Sequence, residues 1–136
     1  MNVAEGAGEK RVAMHRGRQA ESRAASYLAR SGMTLVQRNF RCKLGEIDLI
    51  MLDREELVFV EVKYRSSDRF GNSLDYVSRQ KQLKLKKAAL FYLQKHPQYA
   101  AHPFRFDVVG IAPPPAGCEP EATRFNWVRN ALELDW

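Results

Sequence analysis

Residues 45–65 read GEIDLIMLDREELVFVEVKYR, two runs rich in Ile, Leu, Val and Phe joined by the polar residues Asp53 to Glu56. Apolar runs of this length on either side of so short a polar link form a β-hairpin. Side chains alternate along a strand, so Val58, Val60, Val62 and Tyr64 share one face of the second strand, the expected core face. Leu57, Phe59, Glu61 and Lys63 share the other. On the first strand Ile47, Leu49 and Met51 form an apolar face, opposite Glu46, Asp48, Ile50 and Leu52.

A turn at Arg54-Glu55, closed by Asp53 and Glu56, makes the numbers of facing residues sum to 109. Leu52 then faces Leu57, Ile50 faces Phe59, Asp48 faces Glu61 and Glu46 faces Lys63. This second face is apolar beside the turn and charged at the open end, the pattern of a floor covered at one end and opening into a cleft at the other. Two carboxylates directly opposite in a hairpin have Cβ atoms about 5 Å apart and repel one another. A positive group belongs between them. Lys63 is one candidate; a hard divalent cation such as Mg²⁺, which takes one or two carboxylates and leaves room for a phosphate oxygen, is another. The alternative is a surface hairpin whose Glu61 and Lys63 form ordinary, weakly stabilising ion pairs. The apolar neighbours and the aligned Asp48 weigh against it, although an odd loop length would turn Asp48 away.

Upstream, Ala20, Ala24, Tyr27 and Leu28 recur at helical spacing between about Arg18 and Ser31, with Ser31-Gly32 as the stop. MTLVQRNF, residues 33–40, reads as a strand preceding the hairpin. Beyond the polar SSDRFGNSLD, a helix is predicted from about Tyr76 to Lys95, its apolar face carrying Val77, Leu85, Ala88, Ala89, Tyr92 and Leu93 and its end marked by His96-Pro97. FRFDVVGIA is a fourth strand, APPPAGCEPEA a proline-rich loop and TRFNWVRNAL a fifth strand. The order α-β-β-β-α-β-β defines an α/β fold, a mixed five-stranded sheet with helices packed on it. At 136 residues one domain is expected, over residues 17–136, behind a loose tail at 1–16.

Lysine and arginine number 22 against 16 acidic residues, a net charge of +6 with a pI near 9.5, which favours a polyanion such as nucleic acid as partner. Cys42 and Cys118 lie far apart without metal-ligand spacing, as do His15, His96 and His102. No apolar run approaches the roughly 18 residues that span a bilayer, so a cytoplasmic protein without membrane association is expected.

Arg41, Lys43, Arg65 and Arg69 flank the cleft and suit phosphate contacts, which position a substrate without reading its sequence. Lys81 falls near the middle of the apolar arc of the second helix, where a lysine must extend to solvent or meet an anion. Close to a helix N-terminus, a phosphate or a site carboxylate is its expected partner. Glu21, at the flank of the first helix's apolar stripe, either reaches over the sheet or is a surface glutamate. Glu46 is as suited to orienting Lys63 as to touching a metal. Arg105 and Asp107 share a face of the fourth strand and either simply pair or stand behind the site.

An acidic residue on one strand followed by Glu-x-Lys on the next resembles the PD-(D/E)xK nuclease superfamily, with Ile47-Asp48 and Glu61-Val62-Lys63 as the two halves. The longer strings NFRCKLGEIDLI and VFVEVKYRSS, preceded by GRQAESRAASYL and followed by RFDVVG, resemble the bacterial YraN-like family, related to archaeal Holliday-junction resolvases. The resemblance runs from about Gly17 to Ala131; Ala20 stands where the family has glycine, leaving Glu21 in place. It implies a restriction-endonuclease-like core and, as in nuclease relatives, Mg²⁺- or Mn²⁺-dependent cleavage of DNA. In that scheme Asp48 and Glu61 hold the metal with the Val62 carbonyl, Lys63 orients or deprotonates the attacking water, and Glu21 adds a ligand.

Fold does not dictate function, and three readings follow. The first is a metal-dependent endonuclease selecting DNA shape, such as branched DNA, over sequence; symmetric cutting of a four-way junction would call for a homodimer. The second is a nucleic-acid-binding protein of the same fold without catalysis. The third is an interaction module whose hairpin ion pairs are structural.

Overall fold

The computed structural model describes residues 18–64 and 77–132. Helix α1 covers 18–30. It ends at Gly32, whose φ of 101° suits glycine, with Gly32 N–H donating to the Ala29 carbonyl (3.0 Å) and Met33 N–H to that of Leu28 (3.1 Å). Strands β1 (Thr34–Cys42), β2 (Gly45–Asp53) and β3 (Glu56–Tyr64) follow, then helix α2 (Arg79–Lys95), β4 (Phe104–Ala112) and β5 (Arg124–Val128). The sheet order is β1-β2-β3-β4-β5, with β3 and β4 parallel and every other neighbour antiparallel. The mixed five-stranded α/β architecture expected from the sequence is the one observed. The 1–16 tail lies outside the described residues, and among those described no helix is long and apolar enough to cross a membrane.

Two boundaries differ from the sequence reading. The second helix begins at Arg79, because Ser78 caps it: Ser78 Oγ accepts the Lys81 N–H at 3.1 Å. The fifth strand is confined to Arg124–Val128 because Asn130, with φ 50°, turns the chain, and its N–H donates to Asp107 Oδ1 at 2.9 Å.

The two helices cover the central strands on opposite faces of the sheet. Leu85, Ala88, Ala89 and Tyr92 of α2 pack on Ile50, Leu57, Phe59, Phe106 and Val108. Ala20, Ala24, Ala25 and Leu28 of α1 pack on Leu49, Met51, Val58, Val60, Val109 and Ile111. The hairpin register has the predicted sum from Asp53–Glu56 to Leu49–Val60, and there the β2–β3 ladder stops. Three side chains differ from the sequence reading, one in the face it takes and two in their exposure. Ile47 packs with Ile50 on the α2 side instead of with Leu49 and Met51. Tyr64, expected in the core, is 37% exposed, whereas Val62 is partly buried against the α1 cluster. And the covered floor extends farther than predicted, since Glu61 is only 3% exposed.

Candidate active site

The end of the β2–β3 ladder creates the site. Between the β1–β2 pairs Arg38–Leu49 and Phe40–Ile47 stand Asp48 and Asn39, whose φ of 51° is a left-handed conformation that asparagine tolerates better than most residues. Alternation is interrupted across Asp48, since Ile47 and Leu49 pack on opposite sides of the sheet. Beyond Leu49–Val60 the Asp48 carboxylate replaces a strand partner, its Oδ2 accepting the Val62 N–H at 2.8 Å. Burial and the neighbouring Glu61 charge push the Asp48 pKa up to about 8, against the pull of that N–H.

Glu61 is almost fully buried and is neutralised by two lysines. Lys81 Nζ, reaching in from the first turn of α2, lies 2.5 Å from Glu61 Oε1, and Lys63 Nζ lies 3.6 Å from the same oxygen. Of the two anions expected for Lys81, the carboxylate is the one present. Burial works against the Lys81 charge, but its hydrogen bond to Glu61 and the charge of Glu61 outweigh it and raise its pKa. Lys63 moves the other way: burial, then the hydrogen bond to and charge of Lys81, lower its pKa despite Glu61. Burial thus pushes both groups towards their uncharged forms, Asp48 upward in pKa and Lys63 downward.

Glu21 projects from α1 to within hydrogen-bonding range of Asp48 and Asn39; burial first, then the charge of Glu46, raises its pKa. Asn39 was missed in the sequence, although an asparagine inside a strand run, where its propensity is poor, was a signal for irregular backbone.

A groove of about 480 Å³ adjoins this cluster, lined by Arg41, Cys42, Gly45 and Glu46 of the β1–β2 turn region and by Ser78, Gln80, Lys81, Lys84 and Leu85 of α2. Its walls approach closely: a Cβ on Gly45 would lie 3.0 Å from the Lys84 carbonyl oxygen. Arg41 and Lys81 therefore share one groove, while Lys43 is exposed in the β1–β2 turn.

Other predicted residues are elsewhere. Glu46 pairs with Arg41 at 3.4 Å instead of facing Lys63, because the ladder has ended before that position. Arg105 and Asp107 share the α1 face with Val109 and Ile111, opposite to Glu61 and Lys63, and so do not stand behind the site. Asp107 accepts from Arg105 Nε (3.0 Å), Trp127 Nε1 (3.0 Å) and Asn130 N–H, and Arg105 continues to Glu56 (2.5 Å) and Asp53 (3.1 Å). This network ties β4 to β5 and to the hairpin turn. Arg65 and Arg69 lie outside the described residues.

Among the described residues no group of three or more His, Cys, Asp or Glu side chains is arranged to hold a metal ion. The donor set fits Mg²⁺ or Mn²⁺ in a more open way: two hard carboxylates whose mutual repulsion a cation would relieve, with the remaining positions left to water and phosphate. A zinc or other soft-ligand site is not what these residues offer.

These features define an α/β domain in which a strand-helix-strand crossover places two carboxylates and two lysines at the end of a hairpin ladder. The model of the uncharacterised protein family UPF0102 matches residues 20–111, a span holding Glu21, Asp48, Glu61, Lys63 and Lys81, and the chain belongs to that family. It is 48% identical to a UPF0102 protein of Stutzerimonas stutzeri over 117 residues, 86% of this chain and 93% of the relative. A UPF0102 protein of Nitrosococcus oceani is 47% identical over 125 residues, 90% of this chain and 97% of the relative. One of Alcanivorax borkumensis is 44% identical over 116 residues, 85% and 90% respectively. The YraN-like resemblance of the sequence agrees with this membership.

Proposed function

We propose that Asp48, Glu61 and Lys63 form the active site of a Mg²⁺- or Mn²⁺-dependent endonuclease acting on DNA, selecting shape over sequence and working on branched DNA as a homodimer. The observation carrying this reading is the pair of carboxylates where the β2–β3 ladder ends, a half-buried Asp48 raised to a pKa of about 8 and a buried Glu61 held by two ammonium groups. Such an arrangement costs stability, and perturbed carboxylates of this kind concentrate at functional sites.

Asp48, Glu61 and the Val62 carbonyl would hold the cation, and Glu21 is near enough to Asp48 to add a carboxylate or bind a coordinated water. The cation, when bound, supplies Lewis acidity and water ionised at neutral pH. Val62 N–H fixes the orientation of the Asp48 carboxylate. Lys63 directs the attacking water and takes its proton in the neutral form that burial favours, or steadies developing phosphate charge in the protonated form. Arg41, Lys43 and Lys81, with Arg65 and Arg69, would take flanking phosphates, in keeping with a net charge of +6.

The Lys81–Glu61 pair favours a second reading, nucleic-acid binding without catalysis, because an ammonium there neutralises the carboxylate without a metal. Cleavage separates the two. Duplex, flap, single-stranded and four-way-junction DNA, and RNA, are incubated with the protein in Mg²⁺ or Mn²⁺ alongside Lys63→Ala. Cleavage of DNA that falls about 100-fold or more in the variant is the expected result. Cleavage undiminished by Lys63→Ala overturns the active-site assignment, and binding without cleavage of any substrate supports the second reading.

A further inference from the structure

Glu61 Oε1 has two ammonium neighbours of different kinds. Lys63 is fixed on the same strand two residues away, and its side chain is 21% exposed. Lys81 comes from another element, makes the shorter contact, is 40% exposed and lines the groove that also holds Arg41 and Lys84. Its ammonium thus has two anionic destinations: the carboxylate behind it and any anion entering the groove in front. Helix α2 has no Asp or Glu to compete for it. An ammonium and a divalent cation cannot both take the same carboxylate oxygen at full strength, since each is repelled by the other's charge.

We propose that Lys81 is an exchangeable counter-cation: it holds Glu61 in the free protein, and it turns into the groove to pair with a nucleic-acid phosphate when a divalent cation engages Asp48 and Glu61. Metal and polyanion then bind with positive coupling, because each favours the outward Lys81, and the coupling is the same from either side. The inference rests on the metal-site reading above and adds a direction to it. Loss of Lys81 strengthens metal binding, where loss of Asp48 or Glu61 abolishes it.

The test is calorimetric titration of Mn²⁺ into wild type, Lys81→Gln, Lys81→Arg and Glu61→Gln, without nucleic acid. Lys95→Gln, about 21 Å farther along α2 by helical rise, is the charge-matched control. Lys81→Gln should bind Mn²⁺ about fivefold or more tightly than wild type, with Lys95→Gln unchanged, Lys81→Arg no tighter than wild type and Glu61→Gln without detectable binding. Fluorescence anisotropy with a phosphorothioate DNA strand should show that Mn²⁺ tightens DNA binding to wild type more than to Lys81→Gln. Mn²⁺ binding to wild type that needs Glu61 but is unchanged or weakened in Lys81→Gln overturns the exchange and leaves the metal site standing. Absence of Mn²⁺ binding from both wild type and Lys81→Gln overturns both, and binding seen in Lys81→Gln alone supports the exchange. Should Lys81→Gln fold poorly, Lys81→Arg carries the anisotropy arm: retained metal dependence supports the exchange, and its loss contradicts it.

Discussion

Asp48 is where the chemistry of the site meets the stability of the fold. An unfolded aspartate ionises near 3.8, whereas in the fold the Asp48 pKa is about 8. Between those values the folded protein holds a proton that the unfolded chain has lost, so this residue's contribution to stability falls as pH rises from about 4 to about 8, then levels off. Asp48→Asn removes the repulsion with Glu61 while its side-chain oxygen still accepts the Val62 N–H. The variant should be more stable than wild type by about 1–3 kcal/mol at pH 8, with the gain shrinking towards pH 5, as read by thermal melts across that range. A gain that does not change with pH contradicts the raised pKa of Asp48. Metal binding has to displace the same proton, so Mn²⁺ affinity should climb with pH up to about 8.

At the level of elements, the hairpin sets the position of the carboxylates and α2 brings the lysine. The β1–β2 turn and α2 touch at Gly45, where an added Cβ would meet backbone oxygen and the Lys84 Cβ at 3.0 and 3.2 Å. Backbone cannot yield as a side chain would, so Gly45→Ala should cost about 1–3 kcal/mol in urea denaturation; a neutral effect would mean the groove walls are loosely held. On the opposite face, Asp107→Ala leaves Arg105, Trp127 and Asn130 donors without their shared acceptor and should cost about 3–5 kcal/mol, which the same measurement checks. The sequence made the hairpin legible because loop length and alternation determine register together, from Asp53–Glu56 as far as Leu49–Val60. Alternation could not reveal its own interruption across Asp48. Nor could it show that Glu61 is covered by Lys81, a contact across the β3–α2 crossover that needs the helix docked. Helical periodicity did place Lys81 facing inward with an anion to meet.

Over the whole molecule, a sheet whose central strands are covered on both faces leaves ligands the ends of those strands, the place where α/β sheets commonly bind them. Here that end carries the carboxylates, the paired lysines and a groove walled by Arg41, Lys81 and Lys84. Contacts to phosphate without base recognition predict binding that weakens steeply with salt, by about 0.7–0.9 in log K per phosphate for each tenfold rise in salt. Three or four such contacts give a slope of about −3, equal for DNA of different sequence at fixed shape; a slope near zero in anisotropy titrations would place recognition outside this groove. The central claim is that Asp48 and Glu61 together take a divalent cation. Calorimetric titration of Mn²⁺ into wild type, Asp48→Ala and Glu61→Ala tests it most directly: one site in wild type, absent from each variant, is predicted, and binding that is undetectable in wild type or survives both substitutions would contradict it.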